Sequence, residues 1–127
     1  MTENNIVKEK KTMKIIKASE NLTAKDVYNL TRNPRSQKMR SAVDSRIEVD
    51  KWALYEDINR KNGEPQEVLS IATPDGEVFT TNSPTFKDDF LDMQDLFNDM
   101  GETVHAITVI TGTSKSGREF VTCVYSD

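Results

Sequence analysis

Apolar residues recur in this chain at two periods, and the changes between them mark out its elements. From Arg46 the period is two: Ile47 and Val49 alternate with Glu48 and Asp50, after which the apolar positions move to Trp52 and Leu54. Alternation of this kind is that of a half-buried strand, and a parity change within one segment marks a bulge near Asp50-Lys51. The segment therefore reads as one long, sharply bent strand. Asn62-Gly63 closes a hairpin turn over residues 59–63. A second strand is expected over residues 67–73, a turn at Pro74-Asp75-Gly76, and a third strand over residues 77–81. The period then becomes helical, with Phe86, Phe90, Met93 and Phe97 on one face, Ser83 placed to cap, Pro84 at the first helical position and Gly101 at the end. Asp88, Asp89, Asp92, Asp95 and Asp99 occupy the opposite face, so the phenylalanines read as core and the aspartates as solvated. From His105 to Tyr125 two further apolar strands flank a loop over residues 111–118, which holds two glycines, hydroxyl side chains and the cations Lys115 and Arg118.

Upstream of Arg46 the pattern is weaker. Residues 1–12 are polar and read as a flexible arm, and a short strand is expected over residues 13–17. Thr23, with Asp26 three residues on, signals a helix start; Val27 and Leu30 share a face, and Asn33-Pro34 ends the run. Residues 33–45 show no period and read as a loop. The order strand, strand, strand, helix, strand, strand after residue 45 is that of an OB-fold, a five-stranded Greek-key barrel that binds oligonucleotides or oligosaccharides on its middle strands and on its 1–2 and 4–5 loops. The expectation is thus a mainly β domain over residues 13–127, with residues 13–45 as an N-terminal extension carrying a short helix and a basic loop. Residues 58–66 and 111–118 would be the two ligand-binding loops.

Composition adds an asymmetry. At 127 residues the chain suits one domain, and its net charge is −4. Residues 1–60 nevertheless hold 13 Lys and Arg against 9 Asp and Glu, while residues 61–127 hold 4 against 12. The densest positive block contains Arg32, Arg35, Lys38, Arg40 and Arg46 against Asp44 alone. A positive face is therefore expected despite the net sign. No apolar run is long enough to span a membrane, and the polar, lysine-rich start does not read as a secretory signal. A single cysteine, Cys123, points to a reducing, cytoplasmic compartment.

Enzymatic readings find little to rest on. His105 is the lone histidine and Cys123 the lone cysteine, so neither a base–nucleophile pair nor a Cys/His metal site is expected, and no cofactor is implied. The 111–118 loop has phosphate-cradling residue types, but it lacks the P-loop spacing and joins two strands. Binding of single-stranded nucleic acid needs a cationic track and rings on which bases stack. Candidate cations are Arg35, Lys38 and Arg40 of the basic block, Lys51, Arg60 and Lys61 around the first hairpin, and Lys115 and Arg118 of the last loop. Tyr55 has opposite parity to the core-facing Trp52 and is the stacking candidate on the bent strand; Phe79 and Phe120 are candidates on later strands.

Three segments carry a family resemblance: Asn5-Ile6-Val7-Lys8, then Ile71-Ala72-x-x-Asp75-Gly76-x-Val78-Phe79, and Thr111-Gly112-Thr113-Ser114-Lys115-Ser116-Gly117-Arg118-Glu119-Phe120. They resemble the small single-stranded DNA-binding proteins of protein-primed podophages and related tailed phages, in order and spacing over residues 45–127, with a weaker echo at the N-terminus. The resemblance implies an OB-like protein without enzymatic activity that coats displaced strands during phage DNA replication in the cytoplasm of the infected bacterium. Expected partners are single-stranded DNA, other copies along the strand and phage replication proteins. Arg32 to Arg40 then serve either as DNA track or as a contact between neighbours. The competing expectation is an OB-type interaction module whose acidic helix, residues 84–100, contacts a replication or host protein.

Overall fold

The computed structural model describes residues 13–58 and 61–127; the arm read at residues 1–12 lies outside them, as do Asn59 and Arg60. The bend expected near Asp50 divides one extended segment between two sheets, as β3 (Arg46–Glu48) and β4 (Lys51–Ile58). At the junction, consecutive amides point to different neighbours. Val49 N–H donates to the His105 carbonyl at 2.8 Å, and Asp50 N–H to the Ala72 carbonyl at 2.9 Å. A bulge re-aims a strand in this way without breaking it.

β4 pairs with β1 (Lys14–Ala18) on one side and with β5 (Pro65–Ala72) on the other, and β5 pairs with β6 (Val78–Thr81). β3 pairs with β7 (Ala106–Thr113), which runs antiparallel to β8 (Glu119–Tyr125). Trp52 lies opposite Ile71, and Leu54 opposite Leu69, so the even positions of β4 face the core. Ile47 and Ile107, also paired, supply the second sheet's inner face. Helix α2 (Pro84–Asp99) inserts Phe86 and Phe90, both fully buried, and packs against β8. Its cap is shared with the sheet: Ser83 Oγ accepts from Phe86 N–H at 3.3 Å and donates to the Val121 carbonyl at 2.9 Å.

Helix α1 (Ala24–Arg32) begins with the expected cap. Thr23 Oγ1 accepts from Asp26 N–H at 3.1 Å, and the Asp26 carboxylate accepts from Thr23 N–H at 2.9 Å. That backbone donor, chiefly, holds the Asp26 carboxyl below the usual carboxylate range. Thr23→Ala should cost about 1 kcal/mol of stability, read as a lowered denaturation midpoint at unchanged slope; no change would mean the cap is not stabilising.

Two expectations fail here. Residues 33–45 do not form a loop throughout: they contain a two-residue strand, β2 (Gln37–Lys38), and a 3₁₀ turn (Met39–Ala42) that buries Met39 and Ala42. Two apolar residues three apart suit a 3₁₀ turn, whose side chains align at that interval, and so short a signal leaves no longer period to detect. The barrel also does not close. The sheets are ordered β1-β4-β5-β6-β2 and β3-β7-β8, with β2 lying parallel to β6 on the edge that closure would require. The structure is mainly β, with two sheets and two helices, and none of its described helices is long and apolar enough to cross a membrane.

Candidate nucleic-acid interface

Because β2 takes the edge of β6, a groove of about 580 Å³ remains between β6 and β8. Phe120 of β8, half-buried, lines it with Lys38 and Arg40 from the segment that blocks closure. Thr80, Thr81 and Asn82 add hydroxyl and amide groups from the end of β6. Gly112 faces Phe120 across the hairpin and sets the ring's position: a Cβ there would meet Phe120 Cζ at 2.6 Å. Only a residue without a side chain lets the ring lie over the strand at that distance.

The loop expected over residues 111–118 is shorter and more ordered. β7 continues through Thr113 and β8 starts at Glu119, leaving a turn over residues 114–118. Ser114 N–H donates to the Arg118 carbonyl at 2.8 Å, Gly117 N–H to the Ser114 carbonyl at 2.9 Å, and Arg118 N–H to Ser114 Oγ at 3.2 Å. Gly117 supplies a φ of +87°, which the turn requires, while Gly112 is a strand residue beneath a ring and not a hinge. Lys115 and Arg118 are exposed on this turn, next in sequence to the groove-lining Glu119 and Phe120.

The other candidates scatter. Tyr55 does face away from Trp52, but that side of the sheet is covered by α1, with Leu30, Ala53 and Ser70 buried alongside. Tyr55 is 5% exposed and cannot stack a base. Burial, aided by Asp57, pushes its phenol up to about 12. Phe79 is likewise core, 8% exposed, and lines a separate cleft that also carries Arg46, Glu48, Asp75 and Glu77. Lys51 pairs with Asp26 at 3.9 Å beneath α1. Arg35 is exposed after α1, and Lys61 is exposed in the β4–β5 turn; neither lines the groove. Arg60 falls outside the described residues.

Thus the structure brings together Lys38, Arg40 and Phe120, adds Lys115 and Arg118 on the adjoining turn, and leaves out Arg35, Lys51, Tyr55, Lys61 and Phe79. Thr80, Thr81 and Asn82 were missed; their only sequence signal is a polar run between a strand end and a helix cap. Arg40 donates to Glu119 at 3.1 Å in an exposed pair. Such pairs contribute about 0–1 kcal/mol, so a phosphate can displace the carboxylate at little cost. The groove offers a ring face, neutral hydrogen-bonding groups, two cations and the Glu119 carboxylate, a set with the chemistry to seat a planar ring and an adjoining anion. Cys123 is buried, and burial, aided by Asp89, pushes its thiol up to about 12, far from a reactive thiolate. No family model matches the chain, and no curated protein or solved structure matches it significantly.

Proposed function

We propose that this protein binds single-stranded DNA without sequence preference, seating a base on Phe120 and the flanking phosphates on Lys38, Arg40 and the Lys115–Arg118 turn. The supporting observation is the half-buried ring of Phe120, held over Gly112 in a groove lined also by Lys38, Arg40 and neutral polar groups, with Glu119 its one carboxylate. Within this reading the bent β3–β4 segment, β5, β6, α2, β7 and β8 form an OB-like barrel, opened by insertion of β2 where its third and fifth strands would pair. The role is coating of displaced strands during phage DNA replication in the host cytoplasm, with no catalytic step.

Each stacked base is worth about 1–3 kcal/mol by alanine substitution. Phe120→Ala should therefore weaken binding of oligo(dT) about 10- to 100-fold at low salt, measured by gel shift and fluorescence titration, while the far-ultraviolet dichroism stays unchanged. With these four cations engaged, log affinity should fall against log salt with a slope of about −3. Absence of any shift with wild-type protein sinks the proposal; equal binding by Phe120→Ala moves the ligand elsewhere on the surface.

A further inference from the structure

A separate cleft of about 580 Å³ shares no residue with the Phe120 groove. Its walls are the end of β1, the bend between β3 and β4, the last turns of α2 and the segment 101–104 leading into β7. Three exposed carboxylates, Glu20, Asp50 and Glu102, line it, and none makes an ion pair with a described residue. Gln94 lines it as well. This side chain is 6% exposed, and its Nε2 has no hydrogen-bond partner among the described residues. Buried amide groups are as a rule paired, so Gln94 asks for an acceptor that none of the described residues supplies. Helix α2 also ends at this cleft with no basic residue in its last turn, leaving the negative pole of the helix uncompensated.

Together these features select one chemistry: a cation for the carboxylates and the helix pole, carried next to a carbonyl oxygen for Gln94. A bare metal ion is disfavoured, since among the described residues no three His, Cys, Asp or Glu stand together to hold one. A polyamine brings positive charge but no acceptor. We infer that the cleft binds an arginine- or lysine-bearing peptide segment of a partner protein. Its cation sits among Glu20, Asp50 and Glu102, and its backbone carbonyl accepts from Gln94. This site works independently of the Phe120 groove.

Trp52 lines the cleft and is the chain's one tryptophan, so it reports directly on occupancy. The probe is a blocked peptide of alternating arginine and alanine carrying three positive charges, titrated at low salt against the full-length protein. A saturable change in Trp52 emission is expected. Gln94→Met, which keeps volume and removes the donor, should weaken it about tenfold, and the exposed double variant Glu20→Gln/Asp50→Asn at least as much. Spermidine, of equal charge, should bind about tenfold more weakly than the peptide. The pair Asp92→Asn/Asp95→Asn, on the outer face of α2, removes the same charge outside the cleft and should leave affinity unchanged. The inference is overturned if Trp52 does not respond, or if the Asp92/Asp95 variant loses as much as the Glu20/Asp50 variant, which marks a diffuse field. It also fails if folded Gln94→Met binds as wild type, which means water alone completes the amide. If Gln94→Met does not fold, the two exposed double variants and spermidine still decide it.

Discussion

Phe90→Ala is expected to destabilise the fold by about 3–5 kcal/mol, a large share of the roughly 5–15 kcal/mol that holds a domain together. Phe90 is fully buried, with the Trp52 ring edge-on at 5.3 Å and the Phe86 ring nearly parallel at 6.5 Å. How much such a truncation costs depends on whether neighbours can collapse into the space. Here they are restrained. The Trp52 backbone is bracketed by Ser19, whose Oγ accepts from Trp52 N–H at 3.0 Å and donates to the Trp52 carbonyl at 3.2 Å. Phe86 sits in the first turn of α2, whose cap is tied to β8 through Ser83. The cavity therefore stays open and the cost lies at the upper end. Chemical denaturation monitored by Trp52 fluorescence measures it; a loss below about 1 kcal/mol would show that the core does not centre on this ring.

Stability is also expected to fall steeply at alkaline pH. Burial raises the Cys123 thiol from 9.0 to about 12 and the Tyr55 phenol from 10.0 to about 12. Both groups are neutral when protonated, and the folded state retains those protons longer than the unfolded chain. Their contribution is complete below the unfolded values and is lost as pH rises through the folded ones, in the window from about 9 to 12. At about 1.4 kcal/mol per pH unit, the losses are on the order of 4 kcal/mol for Cys123 and 3 kcal/mol for Tyr55. Cys123→Ala and Tyr55→Phe should each flatten the profile of denaturation midpoint against pH. A wild-type midpoint constant from about pH 8 to 11 would falsify this account. Native Cys123 should also resist thiol reagents at neutral pH and react once unfolded.

Tyr55 shows how far strand parity reaches. Its position opposite Trp52 is correct, yet the inference from opposite parity to exposure assumed that the second face of the sheet meets water. That face is covered by α1, whose Leu30 is buried against it. Each signal was visible alone: a capped helix with Val27 and Leu30 on one side, and a strand with Tyr55 and Ala53 on its outer face. Their meeting, across more than twenty residues of chain, was not. The same holds for Lys38 and Arg40. Their charge is plain in the sequence, but their place on the Phe120 groove depends on β2 adding to the edge of β6, a parallel pairing carried by two residues.

By itself the sequence determined the elements: the bent β3–β4 strand from its shift in parity, α2 from its phenylalanine stripe and Ser83-Pro84 start, the α1 cap from Thr23 and Asp26, and the final hairpin. These follow from period, capping and turn chemistry, which act within a few residues. Only the tertiary structure decided that the strands form two sheets and no closed barrel, that Tyr55 and Phe79 are core, and that Phe120 with Lys38 and Arg40 lines a groove. It alone placed Gln94, buried and with no partner for its Nε2 among the described residues, in a cleft lined by three carboxylates. Burial belongs to surfaces that come together from distant parts of the chain, and no local pattern records which element will cover which face.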